Sequence, residues 1–371
     1  MKILSIIGAR PQFVKEAIIQ NEIREYNKST KNHRIEEVVV HTGQHYDSNM
    51  SGIFFQVLDM EEPGYNLGIH GATHGEMTGK MLVELEAIMI KENPDVVLLY
   101  GDTNSTLAGA IAASKLKIKV AHVEAGLRQE PKDMPEEINR VLTDRVSEYL
   151  FAPSLLAVEN LKAEGLSEKV HFTGDVMFDI YEKMKPRFDR SLMKELGLTE
   201  GKYIVMTLHR DFNVDEPEKL KGILQGVDGI SREIPVVLPI HPRTKKRIEE
   251  FELEEYTKNL TIIDPVDYLQ LMGLTEGCYK VITDSGGYQK ESYFAKKPGV
   301  VIMPDTSWRE LTDQKLNLLS DETNLYENTM NREEVPYKTG IYGDGKAAKK
   351  IIEILVKDHS EEKSNTTNHK E

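Results

Sequence analysis

Two acidic residues in the first half of the chain directly follow runs of apolar residues. Asp102 comes after the run at 95–100, and Glu124 lies within His122-Val123-Glu124-Ala125-Gly126. An aspartate in such a place can also cap the next helix, whereas a glutamate before an Ala-Gly turn has no evident capping role. Because a partly buried carboxylate is costly unless it is paired or used in chemistry, Glu124 is the stronger candidate for acid/base catalysis.

The segment Met134-Pro135-Glu136-Glu137-Ile138-Asn139-Arg140 adds further acids and a cation. Proline and acidic residues suit the first turn of a helix, so ordinary helix-start chemistry could account for this pattern. Glu136 and Arg140 are nevertheless four residues apart and share one helix face. We expect them to point together into a site.

Two cations follow the first apolar run, which ends at Gly8-Ala9-Arg10-Pro11. A helix that starts here with Arg10 and Lys15 near its N-terminus could hold an anion, although a plain turn with surface cations would look the same. Neither G-x-G-x-x-G nor G-x-x-x-x-G-K-[ST] occurs in the chain. The sequence therefore disfavours a nicotinamide dinucleotide and ATP hydrolysis.

Histidines end two apolar runs in the second half of the chain. His209-Arg210 follows the run at 203–208, and His241 follows the run at 235–240. Such residues predict either a diphosphate site or an acid/base site. Zinc is the competing interpretation, but the chain has no H-E-x-x-H motif and no suitable cysteine partner, so we expect no metal.

The most specific motif is Asp284-Ser285-Gly286-Gly287, which follows another apolar run and starts a helical segment. A glycine pair lets backbone N–H groups approach a diphosphate closely at the positive end of a helix. Glu291, about two turns further on, could accept hydrogen bonds from ribose hydroxyls. This motif predicts a nucleotide site.

These motifs require a scaffold of parallel strands that alternate with helices. Apolar, β-branched runs recur along the chain, and segments with helical spacing lie between them, such as Ile138, Val141 and Leu142. The pattern predicts an α/β fold with two doubly wound, Rossmann-like domains facing a central cleft. The predicted strands are 2–7, 37–41, 95–100, 118–123, 203–208, 235–240, 279–283 and 299–303, and the run 171–174 closes the first set.

We place an N-terminal domain at 1–180, which carries the acids, and a second, nucleotide-binding domain at 181–345. A helix at 346–358, with Ala348, Ile351, Ile352 and Leu355 on one face, is expected to cross back to the first domain. The polar residues 359–371 are expected to be a disordered tail.

Composition excludes several classes of protein. The 371 residues carry a net charge of −14, which argues against a broad surface for nucleic acid or an anionic membrane. No apolar run approaches the roughly 20 residues of a spanning helix, and the N-terminus has no signal-peptide pattern, so we expect a cytoplasmic protein. Cys278 is the only cysteine and is expected to be buried.

In this order, the motifs resemble those of the non-hydrolysing UDP-N-acetylglucosamine 2-epimerases, which share a two-domain architecture with GT-B glycosyltransferases. The resemblance runs over nearly the whole chain: Gly8-Ala9-Arg10-Pro11, Gly101-Asp102-Thr103, His122-Val123-Glu124-Ala125-Gly126, Pro135 to Arg140, Thr207-Leu208-His209-Arg210, His241-Pro242, Asp284-Ser285-Gly286-Gly287 and Tyr342-Gly343-Asp344-Gly345-Lys346.

The resemblance implies interconversion of UDP-GlcNAc and UDP-ManNAc for surface polysaccharide precursors, in a homodimer without a metal or nicotinamide. UDP leaves C1 while the C2 proton is removed, and UDP then re-adds to the bound glycal with the proton returned to the opposite face. The residues implied in catalysis are Asp102, Glu124, Glu136 and His209, with Arg140 beside the acids. Those implied in binding the UDP-sugar are Arg10, Lys15, Arg210, His241, Ser285, Gly286, Gly287 and Glu291.

Some segments depart from the commonest family pattern and look more like the branch that acts on UDP-2,3-diacetamido-2,3-dideoxy-glucuronate. They are Gln44-His45-Tyr46-Asp47, His209 to Asn213, Gln289-Lys290-Glu291 and the shortened loop at 305–310. Lys290, Arg309 or Arg243 could pair with a uronate carboxylate. That substrate is therefore the alternative. A hydrolysing 2-epimerase and a GT-B glycosyltransferase are further alternatives that the sequence leaves open.

Overall fold

The computed structural model describes residues 1–30, 34–43, 60–331 and 335–368, without the side chains of Arg10 and of 365–368. The segment Gln44-His45-Tyr46-Asp47 lies outside the described residues. The chain forms two compact units. One comprises Met1–Ile180 together with Gly340–Glu371, and the other comprises Tyr181–Thr339.

The first unit contains a seven-stranded parallel sheet in the order β3-β2-β1-β4-β5-β6-β7. Its strands are β1 (Lys2–Ile7), β2 (Glu36–His41), β3 (Tyr65–Asn66), β4 (Val96–Tyr100), β5 (Lys119–Val123), β6 (Tyr149–Ala152) and β7 (Val170–Phe172). Strand order reverses direction between β1 and β4, and ligands of open α/β sheets bind at the carboxyl ends of the strands beside such a switch point. The segments after β1, β4 and β5 are therefore the ones that can build a site.

The second unit contains a six-stranded parallel sheet in the order β10-β9-β8-β11-β12-β13. Its strands are β8 (Ile204–Thr207), β9 (Val236–Pro239), β10 (Thr261–Ile263), β11 (Lys280–Thr283), β12 (Gly299–Ile302) and β13 (Asn317–Ser320). The switch point lies between β8 and β11, which pair from Lys280 with Ile204 to Thr283 with Thr207. The predicted α/β class with two parallel sheets is confirmed.

Helices cover the faces of both sheets. They are α1 (Arg10–Ser29), α2 (His74–Glu92), α3 (Asn104–Lys115), α4 (Pro135–Val146), α5 (Leu155–Ala163), α6 (Val176–Met184), α7 (Ser191–Glu195), α8 (Asp211–Val214), α9 (Pro217–Ser231), α10 (Pro242–Glu250), α11 (Tyr268–Gly277), α12 (Gly286–Phe294), α13 (Arg309–Asp313), α14 (Leu325–Met330) and α15 (Ala347–Asn368). Each buried Leu, Ile or Val beneath them contributes about 1.5–3 kcal/mol relative to an exposed one. In the first unit these residues include Leu4, Ile6, Leu85 and Leu99, and Cys278 is buried in the second, as expected.

Helix α4 exposes its apolar face. Ile138, Leu142 and Val146 are 46%, 47% and 38% exposed, whereas Glu137, Asn139, Arg140, Thr143 and Asp144 are buried. The helical spacing in the sequence correctly indicates a helix here. The polar face is buried because it carries the hydrogen bonds of the candidate site described below.

The C-terminal helix α15 belongs to the first unit, where it packs against α1. Ala348, Ile351, Ile352 and Leu355 are buried, as their spacing predicts. The helix continues to Asn368, past the predicted end at residue 358 and through much of the segment expected to be a disordered tail. Polar residues of this extension form ion pairs, such as Lys119 with Glu362, so the extension needs no apolar face. Among the described residues, no helix is long and apolar enough to span a membrane.

Candidate active site

Glu124 lies at the carboxyl end of β5 in a backbone conformation that glutamate rarely adopts, with φ of 73°. The N–H groups of Glu124 and Ala125 both donate to the carbonyl of Phe151 at 3.1 Å, which holds the turn. The Glu124 carboxylate lies 2.8 Å from the Nζ of Lys15, and neither side chain is more than 10% exposed. A strained residue in a buried ion pair is typical of a functional site.

Asp102 follows β4 and forms an ion pair with Arg140, which also pairs with Glu137. Thr103 caps α3 instead, by accepting from the N–H of Thr106, so the capping explanation for Asp102 does not hold. Burial opposes the charge of Arg140, but Asp102 and Glu137 outweigh it and raise the pKa of the guanidinium. Glu136, expected to share a face with Arg140, lies exposed, and the buried neighbour Glu137 takes its place as the partner of Arg140.

The turn after β1 is anchored by Gln12, which the sequence analysis did not single out as functional. Its Oε1 accepts from the N–H groups of Gly8 at 2.7 Å and Ala9 at 3.0 Å, and its Nε2 donates to the carbonyl of Tyr100 at 2.6 Å. This one side chain therefore ties the turns after β1 and β4 together. Arg10 begins α1, but its side chain lies outside the described part of the structure.

A buried network lies behind these groups. The Nδ1 of His122 is 2.7 Å from Asp144 Oδ1, and its Nε2 is 2.7 Å from the carbonyl of Gly101, so both ring nitrogens face oxygen atoms. Asp144 Oδ2 accepts from Arg128 at 2.8 Å and from the N–H of Gly126 at 3.1 Å. Gly101 precedes Asp102 and Gly126 follows Glu124 closely, so this network holds the turns that carry both acids.

The groups of the first unit lie close together. A Cβ placed on Gly101 would be 3.8 Å from both Glu124 Oε1 and Lys15 Nζ, and the charge of Glu124 acts on Arg140. Lys15, Asp102, Glu124 and Arg140 therefore share the carboxyl ends of β1, β4 and β5. These four residues, predicted from separate motifs, form one charged cluster. Glu136 lies on α4 and is exposed.

In the second unit, Asp284 is fully buried and collects donors from the turn after β8. Its Oδ2 accepts from the N–H groups of His209 at 2.9 Å and Arg210 at 2.8 Å, and its Oδ1 lies 3.1 Å from His209 Nδ1. Burial opposes ionisation of Asp284, but the contacts with His209 and these N–H groups outweigh it and lower the pKa of the carboxyl group. Asp284 thus fixes the orientation of His209, while Arg210 lies exposed.

His241 lies beside His209, with the ring centroids 5.7 Å apart. Its Nδ1 accepts from the N–H of Arg243 at 3.2 Å and so caps α10, which leaves the Nε2 as the donor of the neutral ring. Burial, followed by the nearby His209 and Arg243, lowers the pKa of His241. Two neighbouring imidazoles at strand ends can donate hydrogen bonds to an anion.

The glycine pair forms the start of α12, and its surroundings are open. Ser285 caps the helix through the N–H of Tyr288, and a Cβ on Gly286 or Gly287 would meet no heavy atom of the described chain within 4 Å. A phosphate can therefore approach these backbone groups at the positive helix end. Glu291 is half-buried on the same helix.

The three cations suggested as partners of a uronate occupy different settings. Lys290 is 3% exposed, with its Nζ 3.7 Å from the centroid of the Trp308 ring. Arg243 pairs with Asp215, and Arg309 lies 3.4 Å from Asp305. The arginines are partly exposed and reach solvent, whereas Lys290 is held beneath an indole.

Comparison with known proteins places this geometry in a family. The family model described as UDP-N-acetylglucosamine 2-epimerase matches residues 27–356. The UDP-2,3-diacetamido-2,3-dideoxy-D-glucuronate 2-epimerase of Pseudomonas aeruginosa is 44% identical over 96% of this chain and 100% of its own. The UDP-N-acetylglucosamine 2-epimerase of Methanocaldococcus jannaschii is 40% identical over 96% of this chain and 99% of its own.

A crystal structure of the Methanocaldococcus jannaschii enzyme in complex with UDP-GlcNAc and UDP superposes with a TM-score of 0.81, covering 96% of this chain and 99% of that one. The fold, the family model and the relatives agree over nearly the whole length. The chain belongs to the UDP-N-acetylglucosamine 2-epimerase family.

Proposed function

We propose that this protein inverts the configuration at C2 of a UDP-linked 2-acetamido sugar by eliminating and re-adding UDP. The C2–H bond and the C1–O bond to UDP break. The proton goes to a side chain, the electrons of the C2–H bond form the C1–C2 double bond, and the electrons of the C1–O bond leave with UDP. UDP then adds back at C1, and a proton is delivered to the other face of C2. No oxidant or reductant is needed for this balance.

The charged cluster of the first unit supplies the proton chemistry in this proposal. The C2 proton is not acidic by itself, so a base and an acid must be held near it while the leaving group is stabilised. The observation that carries the proposal is the Lys15–Glu124 pair at 2.8 Å, beside the turn that carries Asp102. Glu136 completes the proposed set of acids, and Arg140 positions Asp102.

The residues at the strand ends of the second unit hold UDP. The open backbone at Gly286 and Gly287, capped by Ser285, receives the diphosphate, and His209 and His241 add donors to it. Glu291 accepts ribose hydroxyls. Arg10 and Arg210 add positive charge for the phosphates, and Lys15 contributes to substrate binding as well as to its pair with Glu124.

UDP-GlcNAc is the first candidate substrate. The family is named for a UDP-N-acetylglucosamine 2-epimerase, and the Methanocaldococcus jannaschii relative was crystallised in complex with UDP-GlcNAc and UDP. The diacetamido-glucuronate sugar is the second candidate, favoured by the 44% identity to the Pseudomonas aeruginosa relative. The second candidate carries an additional carboxylate, for which the exposed Arg309 and Arg243 are possible partners.

The test is incubation of the purified protein with each sugar nucleotide in D2O, with the C2 proton followed by NMR. We expect deuterium at C2 with the UDP-sugar retained for at least one substrate. Free sugar plus UDP would instead indicate the hydrolysing reaction, and transfer to an added acceptor would indicate a glycosyltransferase. Absence of C2 exchange with both sugars contradicts the proposal.

We further propose that the protein is a cytoplasmic homodimer in which the apolar face of α4 is covered by a second copy. Ile138, Leu142 and Val146 form an exposed stripe, and Val83 and Ile90 on α2 are 62% and 65% exposed. Exposed apolar surface on a helix can mark an interaction site. Sedimentation velocity tests the oligomeric state, and a single species of monomer mass would contradict the dimer.

A further inference from the structure

A second pocket of the second unit lies at the opposite end of the sheet from the candidate active site. Its volume is about 640 Å³, and it lies at the amino ends of β11 and β12, where Lys280 and Gly299 begin these strands and Tyr279 precedes the first of them. The glycine pair and His209, by contrast, follow the carboxyl ends of the strands. Nothing in the proposed epimerisation uses this pocket.

The most buried lysine of the pocket lining is Lys280, which is 5% exposed. Its Nζ donates to the carbonyls of Thr329 at 2.7 Å and Asn331 at 2.8 Å, at the end of α14, and these two bonds account for two of its three N–H groups. Burial lowers the pKa of Lys280 to about 8. Carbonyls satisfy its hydrogen bonds but do not balance its charge, so an anion in the pocket would be favoured.

Three more lysines line the same pocket: Lys296, Lys297 and Lys315. Within the described ranges, none of the four pocket lysines forms an ion pair with a carboxylate. The whole chain has a net charge of −14, so this concentration of unpaired cations is unusual for the molecule. A concave surface on which several lysines converge attracts ligands of the opposite sign.

The remaining walls of the pocket are aromatic and aliphatic. The Tyr293 and Tyr337 rings stack with centroids 5.0 Å apart, and Lys296 Nζ lies 5.4 Å from the Tyr337 centroid. Val300 and Leu316 add aliphatic surface. An inorganic anion alone would leave these walls unused, whereas a ligand with an anionic group and an aromatic body would contact both parts.

We propose that this pocket is a second ligand site, which binds a mononucleotide with its phosphate among the lysines and its base against the tyrosine and aliphatic walls. The volume lies within the roughly 300–1,000 Å³ of small-molecule sites. Base stacking on aromatic side chains and phosphate contacts to lysine are the interactions that such a ligand requires. The site is separate from the candidate active site because the two lie at opposite ends of the strands.

The test is calorimetric titration with AMP while UDP is present at about ten times its own Kd, so that the diphosphate site is filled. We expect AMP to bind and its affinity to fall with added salt. The pair Lys296→Gln and Lys315→Gln changes exposed side chains and should weaken AMP binding at least tenfold, with UDP affinity and C2 exchange unchanged. The matched control is Lys349→Gln with Lys357→Gln on α15, which removes the same charge and should leave AMP binding unchanged.

Three results would overturn the proposal: no AMP binding, equal AMP affinity in the pocket variant and the wild type, or equal weakening by the control pair. If inorganic phosphate binds as tightly as AMP, the aromatic walls contribute nothing to the affinity. The proposal that the ligand is a nucleotide would then be wrong. If a hexaglutamate peptide binds more tightly than AMP, the proposed nucleotide is the wrong ligand, and the pocket binds an acidic segment of a protein instead.

Discussion

The candidate site residues at the carboxyl ends of the two sheets differ in whether they already have partners within the chain. In the first unit the charges are already paired within the chain, as in Lys15–Glu124 and Arg140–Asp102. In the second unit the backbone at Gly286 and Gly287 faces open space. In the proposed function, the first arrangement moves a proton and the second receives an anion.

Each arrangement depends on one buried aspartate that accepts several hydrogen bonds. Asp144 accepts from His122, Arg128 and Gly126, and thereby holds the turns that carry the acids. Asp284 accepts mainly from backbone N–H groups and holds His209. Substitution of groups in the first unit should therefore affect catalysis or stability, and substitution at the glycine pair should affect binding.

Glu124→Gln should have the largest effect. The amide cannot take a proton from C2, so the rate of C2 exchange should fall by about 10³-fold, within the range for loss of general acid/base catalysis. UDP affinity should stay at the wild-type value, because Glu124 belongs to the first unit's cluster. NMR exchange in D2O and calorimetry with UDP measure the two quantities.

His209→Ala is the paired measurement, because His209 belongs to the other arrangement. It should slow exchange as well, by less than Glu124→Gln, and should also weaken UDP binding. The exposed Glu148→Gln is the control for loss of a carboxylate and should leave both quantities unchanged. Unimpaired exchange in both Glu124→Gln and His209→Ala would refute the assignment of the site.

Asp144→Asn should have the next largest effect, on stability. Removing one charge from a buried pair costs about 3–5 kcal/mol, so we expect a loss of about 3 kcal/mol in the free energy of unfolding, measured with urea and far-UV circular dichroism. Glu148→Gln, which breaks the exposed pair with Lys169, should cost less than about 1 kcal/mol. A loss below about 1 kcal/mol for Asp144→Asn would contradict the structural role of the network around Asp144.

The pH dependence of this difference has a definite sign. Burial opposes ionisation of Asp144, but His122 and Arg128 outweigh burial, so the pKa in the folded protein lies below the ordinary aspartate value of 3.8. A depressed carboxyl pKa contributes stability that is complete above the unfolded pKa and is lost as the pH falls through the folded one. The difference between wild type and Asp144→Asn should therefore be present at neutral pH and shrink below about pH 3.8.

Much of the fold and the candidate site could be predicted from the sequence, because buried parallel strands are continuous apolar runs and the motifs follow directly after them. All eight strands predicted from such runs are present, and β7 overlaps the run at 171–174 that closes the first set. The unpredicted strands are β3, β6, β10 and β13, and three of these are at sheet edges, where fewer apolar residues are needed.

The partners within the site could not be predicted, because they depend on contacts between distant parts of the chain. Asp144 is 22 residues from His122, and Asp284 is 75 residues from His209. Helical spacing allows Arg140 to meet an acid three or four residues away. In the structure Arg140 pairs with Asp102 at the end of β4 and with Glu137 rather than Glu136.

Gly287→Ala should have the smallest effect on free energy and is specific to the second unit. The added methyl group meets no heavy atom of the described chain within 4 Å, so folding should be unharmed or slightly favoured by the better helix propensity of alanine. The same methyl group would stand where a phosphate approaches the backbone, and UDP affinity should fall about tenfold, equivalent to about 1.4 kcal/mol.

Gly79→Ala on α2 is the matched control, because its Cβ also meets no described atom within 4 Å but lies in the first unit. It should give a similar change in thermal stability with unchanged UDP affinity. Calorimetry with UDP compares the two variants. Equal UDP affinity in Gly287→Ala and Gly79→Ala would show that the open backbone at α12 does not receive the diphosphate, and the contrast between the two units would then rest on the charged cluster alone.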